Sequence, residues 1–185
     1  MNSGRGEVLD ELLVIRCQGG DVRALELLAR RWHPRLLRDA TYLTGDAEAA
    51  RDVAQEAWIG IARGVRRLQD PARFRSWAHR IVVHKSRDWI RRERAKRRAV
   101  QRAADLAERP VVEQPAAEQP RDDIARLRAA LAELPADQRT VLSWFYLEEM
   151  SVREIAAALS IPAGTVKSRL YHARNALRSC LKEDS

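Results

Sequence analysis

Apolar positions recur along this chain at intervals of three and four, the spacing of one helix face, and no stretch alternates as a half-buried strand would. Leu9, Leu12, Leu13 and Arg16 share a face of a first predicted helix, which Gly19 and Gly20 stop. Asp21 is placed to cap the next, whose apolar positions are Val22, Leu25, Leu28, Trp32, Leu36 and Leu37, with a bend expected at Pro34. Gly45 and Asp46 restart the chain. Ala50, Val53, Ala54, Ala57, Trp58, Ile61 and Val65 then form one stripe. Asp70 and Pro71 open a further helix through Phe74, Trp77, Ile81 and Val82, continuing past Trp89 and Ile90. These stripes read as core.

The pattern resumes nearer the C-terminus. Ile124, Leu127, Leu131 and Leu134 mark a helix ended by Pro135, and Val141, Leu142, Phe145 and Leu147 mark its successor. Ser151 and Glu154 have the spacing of a capping box, which sets a helix start. Ile155, Ala156 and Leu159 point to a shared core. Ser160, Ile161 and Pro162 make a turn, with Pro162 at the entrance of the following helix, where Val166 and Leu170 face inward. Helices joined by a tight turn, with small Ala156, Ala157 and Ala158 where they approach, make a helix-turn-helix pattern. Its second helix suits the DNA major groove; the alternative is a motif kept for protein contacts.

Between these parts lie Pro110, Pro115 and Pro120, spacing two copies of a Pro-apolar-apolar-Glu-Gln unit. Proline at that density forbids a stable helix and predicts an extended linker over residues 106–122. Fully stretched, it would span on the order of 50 Å. The expected fold is all-α: a helical block over 1–105, the linker over 106–122, and a helix-turn-helix block over 123–185.

Charge adds a direction. The 185 residues carry a net +8, with 30 Arg against 4 Lys. Arg makes fork-like contacts to phosphates and base edges, so a nucleic-acid partner is the first hypothesis. The charge is uneven: residues 1–105 hold 23 basic and 14 acidic residues, 106–122 hold 2 and 4, and 123–185 hold 9 and 8. The densest basic run, Arg87 to Arg102, follows the aromatic-bearing segment at Phe74 and Trp77, as a nucleic-acid surface would.

Other classes drop out. The longest charge-free run, Ile155 to Val166, is 12 residues, too short to span a membrane. The N-terminus, Met1 to Leu13, carries Glu7, Asp10 and Glu11 before any apolar stretch, so no secretory leader is expected. Cys17 and Cys180 are far apart and form no disulfide framework, which fits a reducing cytoplasm. His33, His79, His84 and His172 lack metal-ligand spacing, and there is neither a Gly-rich phosphate loop nor a nucleophile–base set. No cofactor, metal or catalytic residue is expected, and the protein reads as no enzyme.

With these motifs in order, the chain resembles the small extracytoplasmic-function (ECF, group IV) sigma factors of bacterial RNA polymerase over about residues 9 to 182. Asp52, Gln55, Glu56 and Trp58 look like the signature that docks on the polymerase clamp helices. Phe74 to His84 looks like the segment that opens and reads the promoter −10 element. Leu134, Pro135 and Arg139, with the helix-turn-helix, look like the domain that reads the −35 element and meets the polymerase flap. The resemblance implies binding to core polymerase, promoter recognition and duplex opening without nucleotide hydrolysis. Factors of this kind are often held inactive by an anti-sigma protein. A stand-alone helix-turn-helix regulator is the alternative function.

The resemblance also distributes roles. Lys167, Ser168, Tyr171 and His172 are expected in the −35 major groove beside Thr165, while Arg169 and Arg174 touch phosphate or pack locally. Arg80, Lys85, Arg87, Arg91 and Arg92 offer charge to single-stranded −10 DNA. Phe74 and Trp77 are read either as base-stacking groups or as core. His84 stands where many relatives carry Asn near the captured base, and reads either as a base contact or as a solvated residue. Glu108, Glu113, Glu118 and Asp122 of the linker either imitate nucleic-acid charge in the polymerase cleft or belong to a plain tether.

Overall fold

The computed structural model describes the backbone of residues 3–104 and 129–182 and the side chains of residues 6–99 and 129–179. The linker expected over 106–122, with Ile124 and Leu127, lies outside the described residues, as does the side chain of Cys180. Among the described residues the fold is all-α. The helices are α1 (Ser3–Gln18), α2 (Val22–Thr44), α3 (Ala47–Gly64), α4 (Phe74–Ala104), α5 (Ala136–Tyr146), α6 (Val152–Leu159) and α7 (Ala163–Lys182). Residues 129–133 are also helical.

The helix boundaries follow local chemistry. The Asp21 carboxylate accepts from Ala24 N at 3.1 Å at the start of α2, and also from Arg16. Gly45, at φ 71°, takes the left-handed conformation that ends α2. Asp46 caps α3, accepting from Ala49 N at 2.8 Å. The helix expected to open at Asp70 begins instead as a short 3-10 turn, Pro71–Arg73, capped by Asp70 and running directly into α4.

The first core gathers Leu13, Val14 and Cys17 of α1, Leu28, Trp32 and Leu36 of α2, Val53, Ala57 and Ile61 of α3, and Phe74, Ala78 and Val82 of α4. Fully buried Ala50, Ala54 and Ala57 let α3 approach its neighbours closely. At Gly64 the fit is closer still, since a Cβ there would lie 2.8 Å from Cζ2 of Trp77. The α1 expectation needs correction: Leu9 and Leu12 are exposed, and the buried face carries Leu13, Val14 and Cys17. Val22, assigned to the α2 stripe, is also exposed. Burial pushes the Cys17 thiol up, with the Asp21 charge adding to the shift, so its reactive thiolate is suppressed.

The second core gathers Leu134, Val141, Trp144, Met150, Ile155, Leu159, Val166 and Leu170. Leu147, expected inside, is exposed, and Trp144 occupies the interior in its place. This core also takes in Val83 of α4, with Leu43 of α2 packed against it. The helical blocks therefore meet directly, α2 against α5 and α4 against α6.

Candidate nucleic-acid interface

The basic residues of α4 divide by what they touch. Helical spacing puts Arg80, His84, Arg87 and Arg91 on one stripe. Arg80 donates to the Ala157 carbonyl at 2.8 Å and Arg87 to the Leu159 carbonyl at 2.7 Å. Both acceptors lie in the last turn of α6, where carbonyl groups lack full intrahelical partners and carry partial negative charge. His84 stands exposed between these arginines, and Arg91 pairs with Asp88 at 3.6 Å. On the flank turned toward α3, Lys85 and Arg92 each lie 3.2 Å from a carboxylate oxygen of Glu56. Burial alone would raise the Glu56 carboxyl, but hydrogen bonds from Arg92 and Lys85 outweigh it and hold it below its ordinary range.

On α3, Asp52 and Gln55 are exposed and Glu56 is half-buried. Ile59, one turn further along the same face, is 44% exposed. Trp58 turns the other way and packs against the first core. The ridge that faces outward is therefore Asp52, Gln55, Glu56 and Ile59.

The helix-turn-helix is assembled by short-range bonds. Ser151 Oγ accepts from Glu154 N at 3.2 Å, and a Glu154 carboxylate oxygen accepts from Ser151 N at 2.8 Å. Burial raises the Glu154 carboxyl, but the Ser151 hydrogen bonds and the Arg75 charge bring it below its ordinary range. Ser160, at φ 54°, makes the left-handed turn after α6. Val166 and Leu170 are buried, while Lys167, Ser168, Tyr171 and His172 are exposed on α7, with Thr165 half-buried beside them. Arg169 pairs with Asp137 at 2.9 Å, and the Arg174 guanidinium lies 5.4 Å from the ring centres of Phe145 and Tyr146. Both arginines thus pack locally.

Comparisons with known proteins agree with this arrangement. A model of sigma-70 region 2 matches residues 28–96, and one of sigma-70 region 4 matches residues 124–177. The chain is 31% identical over 181 residues to the RNA polymerase sigma-H factor of Pseudomonas aeruginosa, covering 94% of each. It is 33% identical over 179 residues to the ECF RNA polymerase sigma factor SigM of Mycobacterium tuberculosis, covering 96% of this chain and 87% of SigM. The chain belongs to the ECF sigma factors. Solved structures share its fold: CnrH in complex with the cytosolic domain of CnrY matches 96% of this chain and 99% of its own at TM-score 0.61 and 26% identity. The sigma factor RpoE in complex with the anti-sigma factor NepR, from Bartonella quintana, matches 89% and 100% at TM-score 0.63 and 24% identity.

In this sigma factor, Phe74 requires a correction. It is 1% exposed and meets Trp32 edge-on at 5.2 Å between ring centres, so it is core and no base can stack on it. Trp77 is half-buried against the first core. Sequence reasoning passed over Ile59, whose signal is an apolar residue one turn beyond Gln55 on a polar ridge. It also passed over the cluster where the blocks meet. There His79 Nδ1 lies 2.5 Å from the Asp39 carboxylate, both groups fully buried, and Trp144 lies 4.7 Å from the His79 ring. Glu148 reaches into the same cluster and pairs with Arg38. No local pattern flags that contact, because the partners stand 110 residues apart.

Proposed function

We propose that this sigma factor docks on the clamp helices of core RNA polymerase through Asp52, Gln55 and Glu56, with Ile59 completing the ridge. Trp58, half-buried against the first core, supports that helix from behind. Residues 1–105 then present α4 to the unpaired −10 strand, using the stripe of Arg80, His84, Arg87 and Arg91 with Lys85 and Arg92 on its flank, and Trp77 at its N-terminal end. Residues 123–185 carry the −35 readout through Lys167, Ser168, Tyr171 and His172, with Thr165 at the entrance of the helix and the flap of polymerase as a second contact. Arg169 and Arg174 brace the recognition helix in this reading.

One observation carries the assignment. Four exposed polar side chains stand on the outer face of a helix whose inner face is sealed by Val166 and Leu170, as major-groove entry requires. The second block contributes little net charge, so its own grip on DNA is modest, and attachment to polymerase supplies effective concentration. The factor works as an initiation subunit in the cytoplasm and is not an enzyme. An anti-sigma protein as partner fits the same reading, since two related folds are seen in complexes, one with CnrY and one with the anti-sigma factor NepR.

Transcription in vitro with core polymerase and a promoter library tests the whole reading. Promoter-specific initiation that depends on this chain is the expected result. DNA binding without initiation would instead establish a stand-alone regulator.

A further inference from the structure

We infer that Arg80 of α4 and Arg153 of α6 form a binding site for a terminal phosphate group, the dianionic end of a small phosphorylated molecule. The start of α4 and the length of α6 bound a cleft of about 400 Å³, inside the range of roughly 300–1,000 Å³ that small ligands occupy. On one wall Arg73, Ser76 and Arg80 recur at intervals of three and four, and so share a stripe. On the other wall Arg153 and Ala157 stand one turn apart on the same face of α6. All of these residues line the cleft. The Arg80 guanidinium donates to the Ala157 carbonyl at 2.8 Å, which ties one stripe to the other.

The positive charges at this cleft are unequally matched. Arg73 pairs with Asp70 at 3.2 Å, and Arg75 reaches Glu7 at 2.9 Å and Glu154 at 3.5 Å. Those arginines already have carboxylates. Arg80 has a neutral carbonyl as its partner and is exposed. Arg153 is exposed and has no partner among the described residues. Two cations without a carboxylate therefore line one concavity, one from each block. A lone arginine on a convex surface is simply solvated. Two that border the same cleft favour an anion that both can reach, through charge-assisted and forked hydrogen bonds.

The number of unmatched charges selects the class of ligand. A phosphate monoester carries about two negative charges above its second ionisation near pH 6, on one phosphorus with three acceptor oxygens. It can compensate Arg80 and Arg153 together. A phosphodiester inside a nucleic-acid strand carries one charge and leaves one of the two arginines unmatched. The site needs neither polymerase nor promoter, so it stands or falls apart from the reading of the chain as an initiation subunit.

The test uses the full chain, with phenyl phosphate as the probe and its methyl ester, which carries a single charge, as the matched diester. Isothermal titration calorimetry at about pH 7.5 and constant ionic strength should show phenyl phosphate bound about tenfold more tightly than the ester, the value of one charge-assisted contact. Near pH 5 the monoester also keeps about one charge, and the difference should disappear. Arg153→Ala and Arg80→Ala should each weaken phenyl phosphate about tenfold or more, and Arg153→Lys, which keeps the charge without the fork, should fall between. Both side chains are exposed, so truncation leaves the cores intact, with far-ultraviolet circular dichroism checking helix content. No binding of phenyl phosphate, equal binding of monoester and diester, or binding that survives both alanine substitutions would overturn the site. An oligonucleotide with hydroxyl ends that displaces phenyl phosphate and depends on Arg153 would overturn the small-ligand assignment in favour of a strand contact.

Discussion

The α4 stripe and the α7 outer face are the two surfaces proposed to meet DNA, yet they are presented in opposite ways. Arg80 and Arg87 on α4 are bonded to the neighbouring block, whereas Lys167, Ser168, Tyr171 and His172 on α7 face outward. Net charge describes how strongly a surface would attract a polyanion, but only the hydrogen bonds show whether its donors are already taken. The nearly neutral second block meets the strongly basic first block through the carbonyls of α6, and the outer face of α7 remains clear of that contact.

The contrast can be broken most severely at Trp144, which supports both the second core and the meeting of the blocks. Trp144→Ala should cost about 3–5 kcal/mol in urea unfolding, because a large buried ring leaves a cavity. A loss confined to the small cost of a surface substitution would show that the indole does not bridge the blocks. Asp39→Asn should cost about 1–3 kcal/mol by weakening the fully buried partner of His79, again read from urea unfolding. Lys167→Ala is expected to change discrimination at one −35 position by about 1–3 kcal/mol, leaving −10 preference alone, as measured by promoter selection with holoenzyme.

An effect of pH comes next. The Glu154 carboxyl is held low in the folded chain, so its contribution is present above the ordinary carboxylate range and is lost as pH falls through the depressed value. Acid titration of stability between about pH 5 and 3 should therefore be less steep in Glu154→Gln than in the parent. Equal slopes would remove the capping box as a source of acid sensitivity. The smallest expected change is at Gly164 on α7, where an added Cβ meets nothing within 4 Å. Gly164→Ala should raise thermal stability by about 0.5–1 kcal/mol through helix propensity.

What was legible in the sequence was what neighbours decide. The capping box at Ser151, the stop at Gly45 and the inward pair Val166 and Leu170 all depend on residues within one or two turns, and each stands as the pattern implies. The face of α1 was misread because that helix is apolar on two sides: Leu13, Val14 and Cys17 point inward, while Val8, Leu12 and Ile15 do not. Without polar residues to exclude one side, periodicity has no means of choosing. Phe74 and Trp77 posed a similar choice between core and base contact, and only packing against Trp32 decides for Phe74. Among the site residues, the outward positions of α7 could be read from helical spacing. The occupation of Arg80 and Arg87 could not, because their partners are backbone carbonyls of a distant helix, and a backbone carbonyl leaves no trace in residue identity. Glu148, in a polar turn, has the same local appearance as any solvated acid.

The distance along the chain between α4 and α6 has a consequence during synthesis. The first core is drawn from Leu13 to Val82, so the first block owns the residues it needs to close. Translation at about 5–20 residues per second takes roughly 3–12 s to pass from Arg87 to Glu148, long compared with the folding of a small helical domain. A nascent chain therefore passes through an interval in which α4 is formed and bare. Ribosome-bound chains halted before Glu148 should already resist protease across residues 6–99.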